Sequence, residues 1–281
     1  MRLIDVRHLG RERVIGCWVP DGVLIDPGPT SSMENLIDAL GGEAPRALLL
    51  THIHLDHAGA SGSLVRRWPE LPVYVHEKGA RHLADPSKLL ASAERLYGDQ
   101  MERLWGEVSP VPEPNLHALR GGEEVLGFRV AYTPGHASHH VSYFHPPSGR
   151  AFVGDTAAIR IPPSDYIVPP TPPPDIDVDL WEESIDRILD WEPASLGLTH
   201  FGPVDEPERH FELVRERLRE QAQLARELSS EEFERRIRER VTGEADPETA
   251  EALMQAAPPE QQWMGLDRYW QKRAERATGS R

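Results

Sequence analysis

The sequence predicts an α+β protein: two sets of strands with helices outside them, followed by an all-helical C-terminal stretch. Three observations predict it. Short apolar runs bounded by Gly, Pro and Asp recur in two blocks, residues 3–75 and 116–199. Segments of helical period lie between and beside these blocks. From Pro207 onward strand patterning stops and only helical spacing remains. Each sheet must bury one face, so two strand sets separated by helices suggest a two-sheet sandwich with helices outside, an α+β or αββα arrangement.

The first block reads as strands at Leu3–His8, Val14–Val19 and Val23–Asp26, the last two joined by the turn signal Pro20-Asp21-Gly22. Thr30 or Ser31 is placed to cap a helix running to Leu40 and ended by Gly41-Gly42. Ala47–Leu50 is continuously apolar, the pattern of a strand covered on both faces. Ala58–Trp68 reads as a helix, Val73–Val75 as a strand and Pro86–Trp105 as one long helix, with packing favoured over a lid role. The second block gives strands at Leu116–Leu119, Glu124–Thr133, His140–His145, Ala151–Val153 and Ser195–Thr199, with an amphipathic helix at Asp177–Leu189. Beyond Pro207, a helical face of Phe211, Val214, Leu218, Ala222 and Ala225 leads to two further starts, Ser229-Ser230 and Asp246-Pro247, and to a last helix carrying Trp263, Leu266, Tyr269 and Trp270. This helical region reads as scaffold or as the contact of a homodimer.

The chain has 281 residues and a formal charge of −15, from 46 acidic and 31 basic side chains. Such a surface repels a polyanion, and the basic residues form no aromatic-interleaved patch, so nucleic acid is disfavoured as a partner and a small molecule is expected instead. No apolar run is long enough for a membrane helix, and Met1–Val6 carries no secretory pattern. With Cys17 alone there is no intramolecular disulfide, and the cytoplasm is the expected compartment. Only three lysines occur: Lys78, Lys88 and Lys272.

The chemistry concentrates in Thr51-His52-Ile53-His54-Leu55-Asp56-His57, which follows the buried Ala47–Leu50 strand. Alternation along an extended chain sends His52 and His54 to one side, where two imidazoles can share an ion. Asp56 and His57 arrive as the chain turns into a helix, so they point elsewhere and can bind a second ion. Imidazole and carboxylate donors suit zinc and neighbouring transition ions, and without thiolates a cysteine-type structural zinc site is excluded. A lone histidine is more often a solvated or structural residue. Here three further strand ends repeat the arrangement: Gly135-His136, Gly154-Asp155 and Thr199-His200. Ligands arriving at several strand ends are how a rigid scaffold converges groups on one point.

Together, His52-x-His54-x-Asp56-His57, Gly135-His136, Gly154-Asp155 and Thr199-His200, with Asp26 in Leu24-Ile25-Asp26-Pro27-Gly28, resemble the motif set of the metallo-β-lactamase superfamily. The resemblance covers roughly residues 1–205 as a catalytic domain, leaving 206–281 as a helical C-terminal region. It implies a four-layer αββα sandwich with a metal site at one edge, glyoxalase II-like in subgroup. His52, His54 and His136 are then expected on one ion, Asp56, His57 and His200 on a second, and Asp155 between them. It implies two divalent cations, zinc foremost with iron or manganese as alternatives. The implied activity is a hydrolase whose metal-bridging hydroxide attacks a small ester, thioester or lactone, with Asp56 orienting the nucleophile as a catalytic residue. Alternatives on the same motif set are a mononuclear iron persulfide dioxygenase and a phosphodiesterase.

Departures narrow the resemblance. His54 stands where flavodiiron proteins carry an acidic residue, and Ala157, Ala158 and Ile159 stand where some lactonases carry a tyrosine. The stretch Arg160–Asp175 holds seven prolines, a stiff segment that reads either as an active-site wall presenting Tyr166 or Arg160 or as an edge-covering loop. His140 is spaced like a second histidine of glyoxalase II-type hydrolases, though a plain strand position is favoured. His76 is a further candidate, whereas His8, His82, His117, His145 and His210 read as surface or structural.

Overall fold

A computed structural model describes residues 1–279 and contains two six-stranded sheets. In the first, β1 (Arg2–Asp5), β2 (Gly16–Val19), β3 (Val23–Ile25), β4 (Ala47–Leu49), β5 (Val73–His76) and β6 (Leu116–Leu119) lie side by side in chain order. The β1–β2 and β2–β3 pairs are antiparallel and the rest parallel. The second sheet holds β7 (Glu124–Val125), β8 (Phe128–Tyr132), β9 (Val141–His145), β10 (Arg150–Phe152), β11 (Ser195–Leu198) and β12 (Gly202–Val204), antiparallel apart from β10–β11.

Alternation within single strands explains the layering. Val23, Ile25, Ala47 and Leu49 meet Phe128, Val130, Tyr143 and Phe152 between the sheets. Their neighbours Leu24, Leu48 and Leu50 face the opposite way, into a cluster with Leu36 and Leu64 of the covering helices α1 (Met33–Ala39) and α3 (Ser61–Arg67). The short α2 (Leu55–Ala58) precedes α3. A strand with both faces covered has no solvent-facing positions, which is why β4 reads as unbroken apolar sequence. The remaining helices are α4 (Glu77–Ala84), α5 (Ser87–Tyr97), α6 (Met101–Trp105) and α7 (Val178–Leu189). At the C-terminal end lie α8 (Pro207–Glu227), α9 (Ser230–Glu244), α10 (Pro247–Ala256) and α11 (Pro259–Gly279). Phe211, Val214 and Leu218 of α8 share one buried cluster with Trp181 and Ile185 of α7. This is an αββα sandwich extended by C-terminal helices.

Several local expectations change. The first strand stops at Asp5, and His8 lies in a short 3-10 turn. Thr30 and Ser31 do not cap α1: their hydroxyls donate to the carbonyls of Gly59 (3.1 Å) and Leu104 (2.7 Å), tying the helix start to later segments. The 58–68 segment shortens to α3, and the separate α2 lies before it, within the donor motif, carrying Asp56 and His57. The 86–105 helix breaks at Gly98, whose φ of 49° leaves the helical region and re-aims α6. The 124–133 strand is a β7–β8 hairpin turning at Leu126-Gly127, both with positive φ. β12 has no counterpart in the sequence reading, because Gly202-Pro203-Val204 carries no strand pattern. Ser229 forms the expected capping box with Glu232, and Asp246 caps α10 through the amides of Glu248 and Thr249. Among the described residues, no helix is long and apolar enough to cross a membrane.

Candidate metal centre

The turns after β4, β8, β10 and β11 meet at one sandwich edge. His52 and His57 are fully buried, His136, Asp155 and His200 nearly so, and His54 and Asp56 half-buried. Donor atoms of His52, His54, His136 and Asp155 lie within 4.8 Å of one another, and those of Asp56, His57 and His200 form a second such group. Asp155 faces both. Its Oδ2 is 3.4 Å from His136 Nε2 and 4.0 Å from His52 Nε2, while Oδ1 is 3.1 Å from His57 Nε2 and 3.7 Å from His200 Nε2. The seven residues singled out in the sequence thus lie together at this edge, Asp155 grouping with His52, His54 and His136.

Hydrogen bonds on the outer sides of the rings set the tautomers. His136 Nδ1 donates to Pro170 O (2.9 Å), His200 Nδ1 to Val14 O (2.7 Å) and His57 Nδ1 to Asp26 Oδ2 (2.8 Å). The Thr51 hydroxyl donates to Asp26 Oδ2 (2.7 Å), so at 3.1 Å it accepts from His52 Nδ1. Each of these rings therefore turns Nε2 inward as a lone-pair donor, the arrangement that orients histidine toward a metal. His54 is reversed: its Nδ1 lies 3.0 Å from His52 Nε2 and 2.9 Å from His136 Nε2.

Asp26 organises the second group. It is fully buried, with a φ of 52°, and also accepts from the Thr51 amide (2.8 Å) and the Thr199 hydroxyl (2.9 Å). Gly154 is required for close approach: a Cβ there would sit 2.5 Å from Thr51 Oγ1 and 2.7 Å from His140 Nε2, at a φ of 45°.

The electrostatics fit a cation. Burial, then the other rings, holds His52 well below the ordinary histidine range, and burial followed by His136 brings His54 down to about 4. Burial likewise lowers His136. In the second group burial also works against charge, but carboxylates outweigh it: Asp155, Asp56 and Asp26 raise His57, and Asp56 and Asp155 raise His200. Burial alone would raise Asp56 and Asp155, yet the surrounding imidazoles, His57 foremost, pull both down. His57 Nε2 and Asp155 Oδ1 are buried without a hydrogen-bond partner among the described residues, although they face each other at 3.1 Å. With the His57 proton held on Nδ1, two acceptors that close need either a second proton or a metal ion between them.

Other candidates sort differently. His140 lies just before β9 rather than on it, its Nδ1 2.9 Å from Thr133 Oγ1 and its ring stacked 5.0 Å from His52. His76 does not line the centre; its Nδ1 accepts from the Lys78 amide at the start of α4, and its ring stacks on Tyr132. Tyr166 and Arg160 do not face the cavity beside the centre: Arg217 sits over the Tyr166 ring, and Arg160 donates to Pro203 O. It is Pro170–Asp175 that forms the wall. The reason is Ile159 pairing with Val168, which folds residues 160–167 back toward α8 and α9. His8, read in the sequence as surface or structural, is buried and stacked on Trp105. His139, next to His140 and three residues past His136, lines the cavity, and so does His82, which also reads as surface or structural in the sequence.

Comparison with known proteins agrees with this geometry. The metallo-beta-lactamase superfamily model matches residues 21–200. The metallo-beta-lactamase fold-containing protein ST1585 of Sulfurisphaera tokodaii is 31% identical over 191 residues, 65% of this chain and 69% of that protein. Its crystal structure superposes with a TM-score of 0.67, covering 90% of this chain and 93% of ST1585 at 26% identity. A hydroxyacylglutathione hydrolase of Legionella pneumophila is 33% identical over 116 residues, 40% of this chain but only 33% of that enzyme. The structure of TTHA1623 in a di-iron-bound form has a TM-score of 0.52 at 26% identity, covering 68% of this chain and 89% of that one. With fold, motifs and relatives in agreement, the chain belongs to the metallo-beta-lactamase superfamily.

Proposed function

We propose that the chain is a hydrolase of small esters, thioesters or lactones that works with two divalent cations. The observation that carries this reading is the division of the donor set, with one Asp155 oxygen turned toward each group. His52, His54 and His136 would hold one cation, Asp56, His57 and His200 the other, and Asp155 both. Cations bound there would supply Lewis acidity, to lower the pKa of water and to stabilise negative charge on a carbonyl oxygen. The chain's own part is to hold the rings in their metal-ready tautomers and to exclude water from their outer edges. Asp56, whose Oδ2 lies 3.2 Å from His200 Nε2 and which lines the cavity, is placed to orient a nucleophile and return its proton to the leaving group.

The assembled second group favours two ions over the single iron of a persulfide dioxygenase. The likeness to hydroxyacylglutathione hydrolase supports thioesters within the substrate range, and the di-iron form of TTHA1623 makes iron the competitor to zinc. Elemental analysis of the purified protein is expected to give about two ions per chain. A panel of thioesters, lactones and bis-p-nitrophenyl phosphate should show carbonyl substrates preferred. One iron per chain, or phosphodiester turnover above all others, would reject the reading.

A further inference from the structure

A cavity of about 380 Å³ opens onto His54, Asp56, His136 and Asp155, and its walls are of two kinds. One is apolar: Leu89, Ala93 and Leu96 of α5 and Trp105 of α6, facing the proline segment 170–174. The other is cationic: Lys78 and Arg81 of α4 and Lys88 of α5. In a chain of formal charge −15 with only three lysines, two of those lysines sit on this one cavity.

Surface cations elsewhere are commonly neutralised, as in the pairs Arg66–Glu107, Arg219–Glu182 and Arg240–Glu220. These three form no such ion pair among the described residues. Lys88 makes no hydrogen bond or ion pair among the described residues, Arg81 bonds only to His82 Nε2 (3.3 Å), and Lys78 donates to the Tyr132 hydroxyl (2.8 Å). Of the nearby carboxylates, Glu77 pairs with Arg120, while Asp175, a charge on the same cavity, accepts from Ser138 Oγ at 2.5 Å and Asp85 from the Ser87 amide at 3.1 Å; neither forms an ion pair with the three cations. Open cations beside an apolar slot recognise a molecule that is apolar at one end and anionic at the other.

We propose that the substrate is an anionic acyl thioester or ester: an apolar acyl chain in the Leu89–Leu96–Trp105 slot, and a carboxylate or phosphate on the leaving half held by Lys78, Arg81 and Lys88. This rests on the hydrolase reading above. Water supplies the oxygen of the new C–O bond, the carbonyl's bond to sulfur or oxygen breaks, and the thiol or alcohol leaves carrying a proton. The products are a carboxylic acid and an anionic thiol or alcohol.

The test is calorimetric binding of S-hexylmercaptosuccinate, a thioether that cannot be hydrolysed, to the purified full chain. Its dimethyl ester is the neutral control and hexyl phosphate the phosphate arm. At least one anionic probe is expected to bind about tenfold or more tightly than the neutral one, weakening as salt rises. Arg81→Gln and Lys88→Gln, both at exposed positions, are each expected to weaken that binding about three- to tenfold, and the distant Arg235→Gln to leave it unchanged. Equal binding of charged and neutral probes overturns the proposal. So does anion binding that ignores Arg81 and Lys88, as direct ligation of the centre by the probe would. The two readings separate cleanly. Charge-dependent thioether binding without turnover of S-hexanoylmercaptosuccinate removes the hydrolase reading alone. Equal turnover of anionic and neutral thioesters, with charge-blind binding, removes this one alone.

Discussion

The donor cluster and the cavity wall opposite it are built on different principles. The cluster is assembled from short motifs at strand ends of both sheets, and every donor ring except His54 is steadied by an acceptor on its outer side. The wall comes from segments with no motif: the proline-rich stretch and the helices laid over it. Gly265 of α11 lies so close that a Cβ there would come within 2.0 Å of Thr171 O. Beneath it, the buried Gln221 amide donates to Pro169 O (3.2 Å) and to Gln262 Oε1, and the Thr171 hydroxyl donates to Gln262 O (3.1 Å). Pro170, between these contacts, supplies the carbonyl that accepts from His136. The C-terminal helices thus hold the segment that orients one donor ring, and Gln261 and Gln262 also line the cavity. Chemistry needs fixed atoms, which strand ends provide; the shape around them can be set by less regular chain.

The comparison can be broken most strongly at the centre. Asp155→Ala removes the atoms facing both groups, and activity is expected to fall by a factor of about 10³ or more, with metal content reduced in parallel. Full turnover by that variant would mean the two groups do not act together. Asp26→Asn keeps the shape but takes charge from a carboxylate that accepts from Thr51, His57 and Thr199. A 10- to 100-fold loss in metal affinity or activity is expected, read by chelator competition and by kcat/KM.

On the helical side, Gly265→Ala drives a methyl group into the Thr171 carbonyl. It is expected to cost about 1–3 kcal/mol in urea unfolding and to lower activity through displaced Pro170, without touching a donor. Unchanged stability and activity would show that α11 does not brace the wall.

The smallest effect is one of pH. His210 of α8 donates from Nε2 to Ala157 O (2.8 Å), and burial brings its pKa down to about 4. Its pKa is lower folded than unfolded, so its stabilisation is complete above the unfolded value near 6.5 and is lost as pH falls through 4. The total is about 3 kcal/mol. The stability gap between wild type and His210→Gln is expected to narrow by roughly that amount between pH 7 and pH 4. A constant gap would remove His210 as the acid-sensitive tie between the helices and the sandwich.

Much of the fold was readable because burial imposes periodicity. β4 showed its two covered faces as unbroken apolar residues, and Ser229 and Asp246 showed their helix starts as capping chemistry. The break at Gly98 was not readable, since a single glycine within a helical pattern is tolerated as often as it ends one. Nor was the fate of Thr30 and Ser31, whose hydroxyls found partners 29 and 73 residues away rather than at their own helix.

By itself the sequence named the residues of the centre: His52, His54, Asp56 and His57 are neighbours in the chain, and the resemblance to the superfamily's motifs added His136, Asp155 and His200, each just past a strand. The tertiary structure alone decided what surrounds them. Val14 O, Pro170 O and Asp26 set the tautomers from up to 186 residues away. Likewise Lys78, Arg81 and Lys88 became the rim of the cavity, while Tyr166 was folded under Arg217 instead. A backbone carbonyl has no signature in sequence, and a surface lysine looks the same wherever it lies. Only packing tells which of them faces the site.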